Sequence, residues 1–101
     1  MVQIITEQAQ IPKQGNVVID FFATWCGPCQ MIAPKYEQLA EKFPTITFLK
    51  VDCDQSSDLA EAFGVRSLPT FVFLKSGKQV TRISGADLNK LIGTLEILEE
   101  D

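Results

Sequence analysis

The amino-acid sequence predicts an α/β domain in which a central mixed β-sheet is flanked by helices on both faces. A nearly continuous apolar run at residues 17–22 is typical of a strand that is buried on both faces. In the segment that follows, Ile32, Tyr36 and Leu39 recur at the spacing of an amphipathic helix. Near the end of the chain, two strand-like runs joined by a turn precede another amphipathic segment, which predicts a C-terminal β-hairpin plus helix.

The length and composition favour a single domain covering residues 1–101. A chain of 101 residues, 46% of them apolar, can form a hydrophobic core without metals or several disulfides. The net charge of −4 disfavours nucleic acid and anionic membranes as partners, because both are negatively charged. No apolar run approaches the roughly 18 residues of a membrane span, and residues 1–10 lack a secretory signal pattern. We therefore expect a soluble, cytoplasmic protein with no nucleic acid and no membrane among its partners.

The first part of the chain predicts two strands separated by an irregular segment. Residues 2–5 are rich in β-branched side chains and predict a short edge strand. Residues 6–16 are polar and contain a proline and a glycine, so at most one short helical turn is expected there. The central strand at residues 17–22 follows, with Asp20 as its one acidic residue.

The amphipathic segment predicts a long helix that starts near Cys26 and ends before Pro44. Pro34 inside it lacks a backbone N–H group, so we expect a kink there. Residues 46–51 predict another strand of the sheet.

A short helix is expected next. Ser57 or Asp58 is placed to cap it, and Glu61 could complete a capping box with Asp58. Gly64 is suited to the position just after the helix, where a left-handed backbone is common.

The last third predicts the hairpin and the final helix. The two strands are expected at residues 70–74 and 79–84. Asp87 is the expected N-cap of a helix whose apolar residues recur over 88–98. The acidic end at residues 99–101 opposes the helix dipole and is expected to fray.

The residues with redox chemistry are Cys26 and Cys29, which are separated by Gly27 and Pro28 at the predicted helix start. Two cysteines at this spacing are neighbours on one helix face and can form a reversible disulfide. As N-cap, Cys26 would face unpaired N–H groups and the positive end of the helix dipole, which favour its thiolate. Cys26 is therefore the predicted nucleophile, and Cys29 is the thiol that resolves a mixed disulfide. Trp25, Gly27 and Pro28 are expected to form a flat apolar surface around the attacking sulfur.

Asp20 is the predicted proton acceptor. In a strand covered on both faces its carboxyl loses hydration, which should raise its pKa and allow it to take the Cys29 proton, directly or through a water. The alternative is a carboxylate that points to solvent at a sheet edge. Lys50 could lie near Asp20 and modulate its titration, or it could be an edge lysine in solvent.

A zinc site is the alternative use of the cysteine pair, with Cys53 as a third ligand. The sequence has no histidine and no second cysteine pair, so the fourth ligand would have to be a carboxylate. The lack of histidine also excludes Cys-His and Ser-His nucleophilic catalysis. Cys53 is most simply a small residue at a strand end, and a regulatory or modified role is its alternative.

Several motifs occur in an order that resembles the thioredoxin family, over essentially the whole chain. They are Ala-Thr-Trp-Cys-Gly-Pro-Cys at 23–29, Val-Asp at 51–52, Leu-Pro-Thr-Phe at 68–71 and Ser-Gly-Ala at 84–86. The resemblance implies the thioredoxin fold, with a central mixed sheet, a terminal antiparallel hairpin and four flanking helices.

The resemblance also implies a substrate groove and a set of partners. Pro69 is implied to be a cis proline that packs beside the disulfide. The implied groove is formed by Trp25, Leu68, Gly85 and Ala86, and the main chain of the target is implied to pair with that of Leu68. The implied electron source is NADPH through thioredoxin reductase, and the chain itself would bind no cofactor. The implied partners of this monomer are thioredoxin reductase and disulfide-containing targets such as peroxiredoxin-type and reductase-type enzymes.

Three features depart from the family pattern. The short segment before the second strand leaves open whether the usual first helix is truncated. Gln30 stands where many members carry a basic residue, and Cys53 lies outside the family motif.

The leading hypothesis is a general protein disulfide reductase. An oxidant or isomerase is the alternative within the same chemistry, although oxidising members of the family usually carry His where this chain has Pro28. A different class is a binding module, in which the groove around Trp25 and Pro69 docks a partner and the redox state only switches the contact.

Overall fold

The computed structural model describes residues 1–100 as a five-stranded sheet with three α-helices and one 3-10 turn. The elements are β1 Val2–Ile4, the 3-10 turn Gln8–Gln10, β2 Asn16–Phe22, α1 Gly27–Lys42, β3 Ile46–Asp52, α2 Ser57–Ala62, β4 Thr70–Lys75, β5 Lys78–Ser84 and α3 Leu88–Glu100. Every strand and helix that the residue patterns predict is present, with ends that differ from the predicted ones by at most a residue or two.

The strands are arranged in the order β1-β3-β2-β4-β5. β1 and β2 run parallel to β3, whereas β4 is antiparallel to both β2 and β5. This confirms the mixed sheet, the edge position of β1, the central position of β2 and the terminal hairpin. Because β2 and β3 are parallel, the loops that follow them meet at one end of the sheet, where the Cys53 N–H donates to the Phe22 carbonyl oxygen at 2.8 Å.

Helices cover both faces of the sheet, as predicted. Successive side chains of a strand point to opposite faces, so β2 contributes to two separate hydrophobic clusters. On one face Val18 packs with Tyr36 of α1 and Leu95 of α3. On the other face Ile19 belongs to a cluster that includes Leu59 of α2. A polar side chain within β2 is therefore removed from water.

The implied count of four helices is wrong for the part of the chain that the structure describes, which has three α-helices. Between β1 and β2 there is only the 3-10 turn, closed by a hydrogen bond from the Ile11 N–H to the Gln8 carbonyl oxygen at 3.0 Å. Pro12 follows at once, and its missing N–H and its ring prevent the helix from continuing. The expectation of one short helical turn in this segment is confirmed.

The predicted cap of α2 is wrong by one residue. The N-cap is Ser56 and not Ser57 or Asp58, and its side chain makes no capping hydrogen bond. The chain already turns at Asp52, whose side-chain oxygen accepts from the Asp54 N–H at 3.0 Å and whose carbonyl oxygen accepts from the Ser56 N–H at 2.8 Å. That turn fixes the helix start before the predicted capping box can form.

Other helix ends agree with the sequence. Gly64 follows α2 with φ +64°, and Asp87 caps α3 by accepting the Lys90 N–H at 3.1 Å. α1 continues through Pro34, where the expected kink stays a prediction. α3 extends through residue 100, where the expected fraying stays a prediction, and Asp101 lies outside the described residues. None of the helices in residues 1–100 is long and apolar enough to cross a membrane.

Candidate active site

Cys26 is the N-cap of α1 and is joined to Cys29 by a disulfide bond. Their Cα atoms lie 5.2 Å apart, and the Cys29 N–H donates to the Cys26 Sγ at 3.2 Å. Pro28 is tolerated here because the first turn of a helix has no acceptor for its N–H. After reduction, the same N–H and the helix dipole would stabilise a negative charge on the Cys26 sulfur.

A cleft of about 600 Å³, here called the active-site cleft, opens beside Cys26. Its lining comprises Trp25, Cys26, Gly27, Pro28, Cys53, Asp54, Ala60, Val65, Arg66, Ser67 and Leu68. Cys29 does not line it and is 2% exposed. A ligand in the active-site cleft therefore meets Cys26 first, which gives the two sulfur atoms unequal access.

Trp25 forms one wall of the active-site cleft and is 72% exposed. Its indole Nε1–H donates to the Asp54 Oδ2 at 2.8 Å. This bond connects the loop after β2 to the loop after β3 and orients the indole ring at the cleft. Sequence reasoning missed Asp54, because an acidic residue in a polar loop carries no signal that it meets Trp25.

The Leu68–Pro69 peptide is cis, as the resemblance implies. Leu68 lines the active-site cleft, whereas Pro69 is buried behind it and its carbonyl oxygen accepts the Gly85 N–H at 2.8 Å. Gly85 has φ +98°, a conformation that other L-residues rarely adopt. The structure thus brings Leu68, Pro69 and Gly85 together, and it connects Gly85 to the cleft through Pro69.

Ala86 lies in a different groove, of about 460 Å³, on the other side of Pro28. The most exposed apolar side chain of that groove is Met31, which is 81% exposed. Sequence reasoning did not select Met31. The only indication in the sequence that Met31 is exposed is its position outside the apolar stripe of the helix.

Asp20 lies in the middle of β2 and is completely buried. Neither of its side-chain oxygens has a hydrogen-bond partner among the described residues. Burial disfavours the charged carboxylate and raises the pKa of Asp20 from 3.8 to about 7, with a smaller opposing effect from Lys50. The alternative of a solvent-facing carboxylate at a sheet edge is wrong.

Lys50 is half-buried on β3, and the strand register places it opposite Asp20. Its Nζ lies 4.5 Å from the centroid of the Phe22 ring, within range of a cation–π interaction. Because β3 lies between β1 and β2, the alternative of an edge lysine is wrong. The positive charge of Lys50 lowers the pKa of Asp20 and so acts against the effect of burial.

Cys53 is a half-buried free thiol that lines the same cleft as Cys26. Burial, together with the negative charges of Asp52, Asp54 and Asp20, raises its pKa from 9.0 to about 11. Sequence reasoning placed Cys53 at a strand end but did not place it in the cleft. Within residues 1–100 no group of three or more metal-binding side chains is close enough to hold a metal ion.

Comparison with known proteins agrees with the fold. The sequence model of the thioredoxin family matches residues 3–96. Thioredoxin-2 of Saccharomyces cerevisiae is 55% identical over 71 residues, which are 70% of this chain and 68% of the yeast protein.

Solved structures match over nearly the whole chain. A thioredoxin of Malassezia sympodialis superimposes with a TM-score of 0.92 at 39% identity, covering 98% of this chain and 91% of that one. A chain from a study of the thiol resolving mechanism in yeast mitochondrial 1-Cys peroxiredoxin via glutathione/thioredoxin systems gives a TM-score of 0.90 at 34% identity. It covers 95% of this chain and 94% of its own.

Proposed function

The chain belongs to the thioredoxin family, and from this premise we propose that it reduces target disulfides with Cys26 as nucleophile and Cys29 as resolving thiol. Thioredoxins are protein-disulfide oxidoreductases, so the chain catalyses dithiol–disulfide exchange. One observation supports the division of roles. Cys26 alone of the pair lines the active-site cleft, at the N-terminus of α1.

In the first step the Cys26 thiolate attacks one sulfur of the target disulfide. The target S–S bond breaks, a Cys26–target mixed disulfide forms, and the second target sulfur leaves as a thiolate that takes a proton from solvent. The N–H of Cys29 and the dipole of α1 favour the attacking thiolate.

In the second step the Cys29 thiol loses its proton to Asp20, directly or through a water, and attacks the Cys26 sulfur. The mixed disulfide breaks, the Cys26–Cys29 disulfide forms, and the first target sulfur leaves and is protonated. The target gains two electrons from this chain and two protons from solvent, and the proton taken up by Asp20 is then released to solvent. Asp20 is suited to accept a proton near neutral pH because its pKa is raised to about 7, and Lys50 is proposed to limit that rise.

The target polypeptide is proposed to lie in the active-site cleft against Trp25, Gly27, Pro28 and Leu68. Pro69 and Gly85 would support that wall from behind through the 2.8 Å hydrogen bond between them. The backbone of Leu68 would pair with the target chain, and Ala86 would contact target residues beyond Pro28.

Members of the family are recycled by thioredoxin reductase. We propose the same partner here, with electrons from NADPH and no cofactor bound to this chain. Proposed targets are proteins with accessible disulfides, including peroxiredoxin-type and reductase-type enzymes. The peroxiredoxin type is supported by one structural relative, which comes from a study of a 1-Cys peroxiredoxin. We further propose that residues 1–101 act as one monomeric domain in the cytoplasm, where a reducing environment keeps Cys53 a free thiol.

The deciding experiment is insulin reduction by the wild type, Cys26→Ser and Cys29→Ser, with dithiothreitol or NADPH and thioredoxin reductase. Cys26→Ser should be inactive, because it lacks the attacking sulfur. Cys29→Ser should accumulate mixed disulfides with its targets, which mass spectrometry would identify. Cell fractionation would test the proposed cytoplasmic location of the protein. Unchanged activity of Cys26→Ser would exclude the mechanism, and a reduction potential as high as that of oxidising folding enzymes would favour the oxidant or isomerase role.

A further inference from the structure

The Arg82 side chain on β5 donates hydrogen bonds to two backbone carbonyl groups at the C-terminal end of α2. Its guanidinium donates to the Phe63 carbonyl oxygen, to the Gly64 carbonyl oxygen at 3.4 Å and to the Gln79 Oε1 at 3.1 Å. The residue is half-buried and pairs with Val72 in the strand register. The side chain therefore joins the hairpin to a helix that is distant in sequence.

The two carbonyl groups belong to the residues that end α2. Phe63 is the C-cap and Gly64, with φ +64°, is the next residue. Carbonyl groups at a helix C-terminus lack intrahelical donors and carry partial negative charge, which a cation stabilises. A planar guanidinium can donate to two acceptors in a fixed geometry, which an ammonium group does less well.

The segment that follows Gly64 is one wall of the active-site cleft. Residues 65–68 all line the cleft and lead directly into the cis peptide. The far end of this segment is also held, because the Thr70 hydroxyl donates to the Ser67 carbonyl oxygen at 2.6 Å and the Gly85 N–H donates to the Pro69 carbonyl oxygen at 2.8 Å. β5 and the residue after it thus anchor both ends of the wall.

We propose that Arg82 is a positioning residue for protein substrates. By fixing the carbonyl groups of Phe63 and Gly64, it sets the start of the segment 65–68, so that this wall presents its backbone to a target chain in one conformation. Arg82 touches neither sulfur atom, and the proposal rests on the proposed function, because it requires a polypeptide in the active-site cleft.

The test compares a protein disulfide with a small one in single-turnover reactions of the reduced protein. Oxidation can be followed by the fluorescence of Trp25, the sole tryptophan, which adjoins Cys26. The substrates are insulin and hydroxyethyl disulfide, and the variants are Arg82→Met and Arg82→Lys. Lys78→Met, which removes an equal charge from an exposed position at the start of β5, is the matched control.

Arg82→Met should lower the second-order rate constant for insulin by about three- to tenfold, the size expected for lost charge-assisted hydrogen bonds that act indirectly. The constant for hydroxyethyl disulfide should not change, because this molecule needs no ordered wall. The insulin rate constant of Arg82→Lys should fall between those of the wild type and Arg82→Met, and that of Lys78→Met should match the wild type. Hydrogen exchange of the backbone amides of residues 65–68 should become faster only in the Arg82 variants.

An equal loss for both substrates would mean that Arg82 supports the fold as a whole and would overturn the proposal. So would an unchanged insulin rate in Arg82→Met, or unchanged exchange at 65–68. If the reduced wild type itself fails to reduce insulin, the proposed function is wrong. This result differs from the ones that would overturn only the positioning role of Arg82.

Discussion

Asp20 on β2 lies opposite Lys50 on β3, and burial and the lysine charge act in opposite directions on the pKa of this carboxyl group. Burial raises the pKa of Asp20 and the positive charge of Lys50 lowers it, and because burial is the larger effect the pKa rises to about 7. The Lys50 ammonium also lies over the Phe22 ring and is half-buried. The carboxyl group can therefore change its protonation state within the pH range in which the reaction runs.

Asp20→Asn should change how the stability of the protein depends on pH. Because the pKa of Asp20 is about 7 in the folded state and 3.8 for an unperturbed side chain, the folded state binds more protons between those values. The free energy of unfolding of the wild type should therefore fall by at most about 4 kcal/mol as the pH rises from about 4 to about 7. Above that pH it should level off. The neutral amide of Asp20→Asn should remove this fall, and urea unfolding at pH 4 and pH 8 would measure it. An equal loss of stability between the two pH values in the wild type and in Asp20→Asn would contradict the prediction.

The same substitution should slow the second chemical step. Without the carboxylate that is proposed to accept the Cys29 proton, the decay of the mixed disulfide should become slower by about 100-fold, the lower end of the range for general acid–base catalysis. Its rate should also lose the rise centred near pH 7 that the wild type is expected to show. Rapid-quench measurement of the Cys26–target intermediate would check this, and a preserved rise would assign the proton acceptor to another group.

Lys50→Met should raise the pKa of Asp20 further, because it removes the positive charge that favours the carboxylate. Methionine keeps an apolar side chain over Phe22, so packing is largely retained. The pH midpoint of the second step should move upward, and NMR titration of the Asp20 carboxyl carbon would show the same shift. Lys78→Met, far from the pair in sequence and exposed, should leave both midpoints in place.

Much of this fold could be predicted because its signals are local. The apolar run at 17–22 predicted the central strand, and a central strand implies a buried Asp20 whatever the rest of the sheet does. The helix start after Cys26 follows from residues within one turn of it. The cap of α2 could not be predicted, because Ser56 and Ser57 are chemically equal and the choice depends on the turn at Asp52.

The parts of the site that the sequence did not predict are contacts between distant loops. Trp25 meets Asp54, and Cys53 enters the cleft of Cys26, because β2 and β3 are adjacent and end on the same side of the sheet. Arg82 reaches Phe63 only through the position of α2 relative to the hairpin. None of these pairs shares a motif or a periodicity, so each depends on strand order and helix placement.

Cys53 should react slowly although it lines the cleft. With its pKa raised from 9.0 to about 11, its thiolate fraction at pH 8 is about a hundredfold lower than that of an ordinary cysteine. Alkylation of the reduced protein by iodoacetamide, followed by peptide mapping, should label Cys26 first and Cys53 about a hundredfold more slowly than in urea. Cys53→Ser should keep the insulin-reducing activity, and fast labelling of Cys53 in the folded protein would contradict the prediction.

Gly85→Ala and Gly93→Ala should change stability in opposite directions. A Cβ at either position meets nothing within 4 Å, so sterics with other residues are equal and only the backbone differs. Gly85 has φ +98°, where an alanine is strained by about 1–3 kcal/mol, and the strain should also weaken its bond to the Pro69 carbonyl group. Gly93 lies within α3, where alanine is favoured over glycine by about 1 kcal/mol. Thermal unfolding should show a lower Tm for Gly85→Ala and a higher one for Gly93→Ala, and insulin reduction should fall only in Gly85→Ala. A lower Tm in both variants would mean that packing, and not backbone conformation, decides the outcome at these glycines.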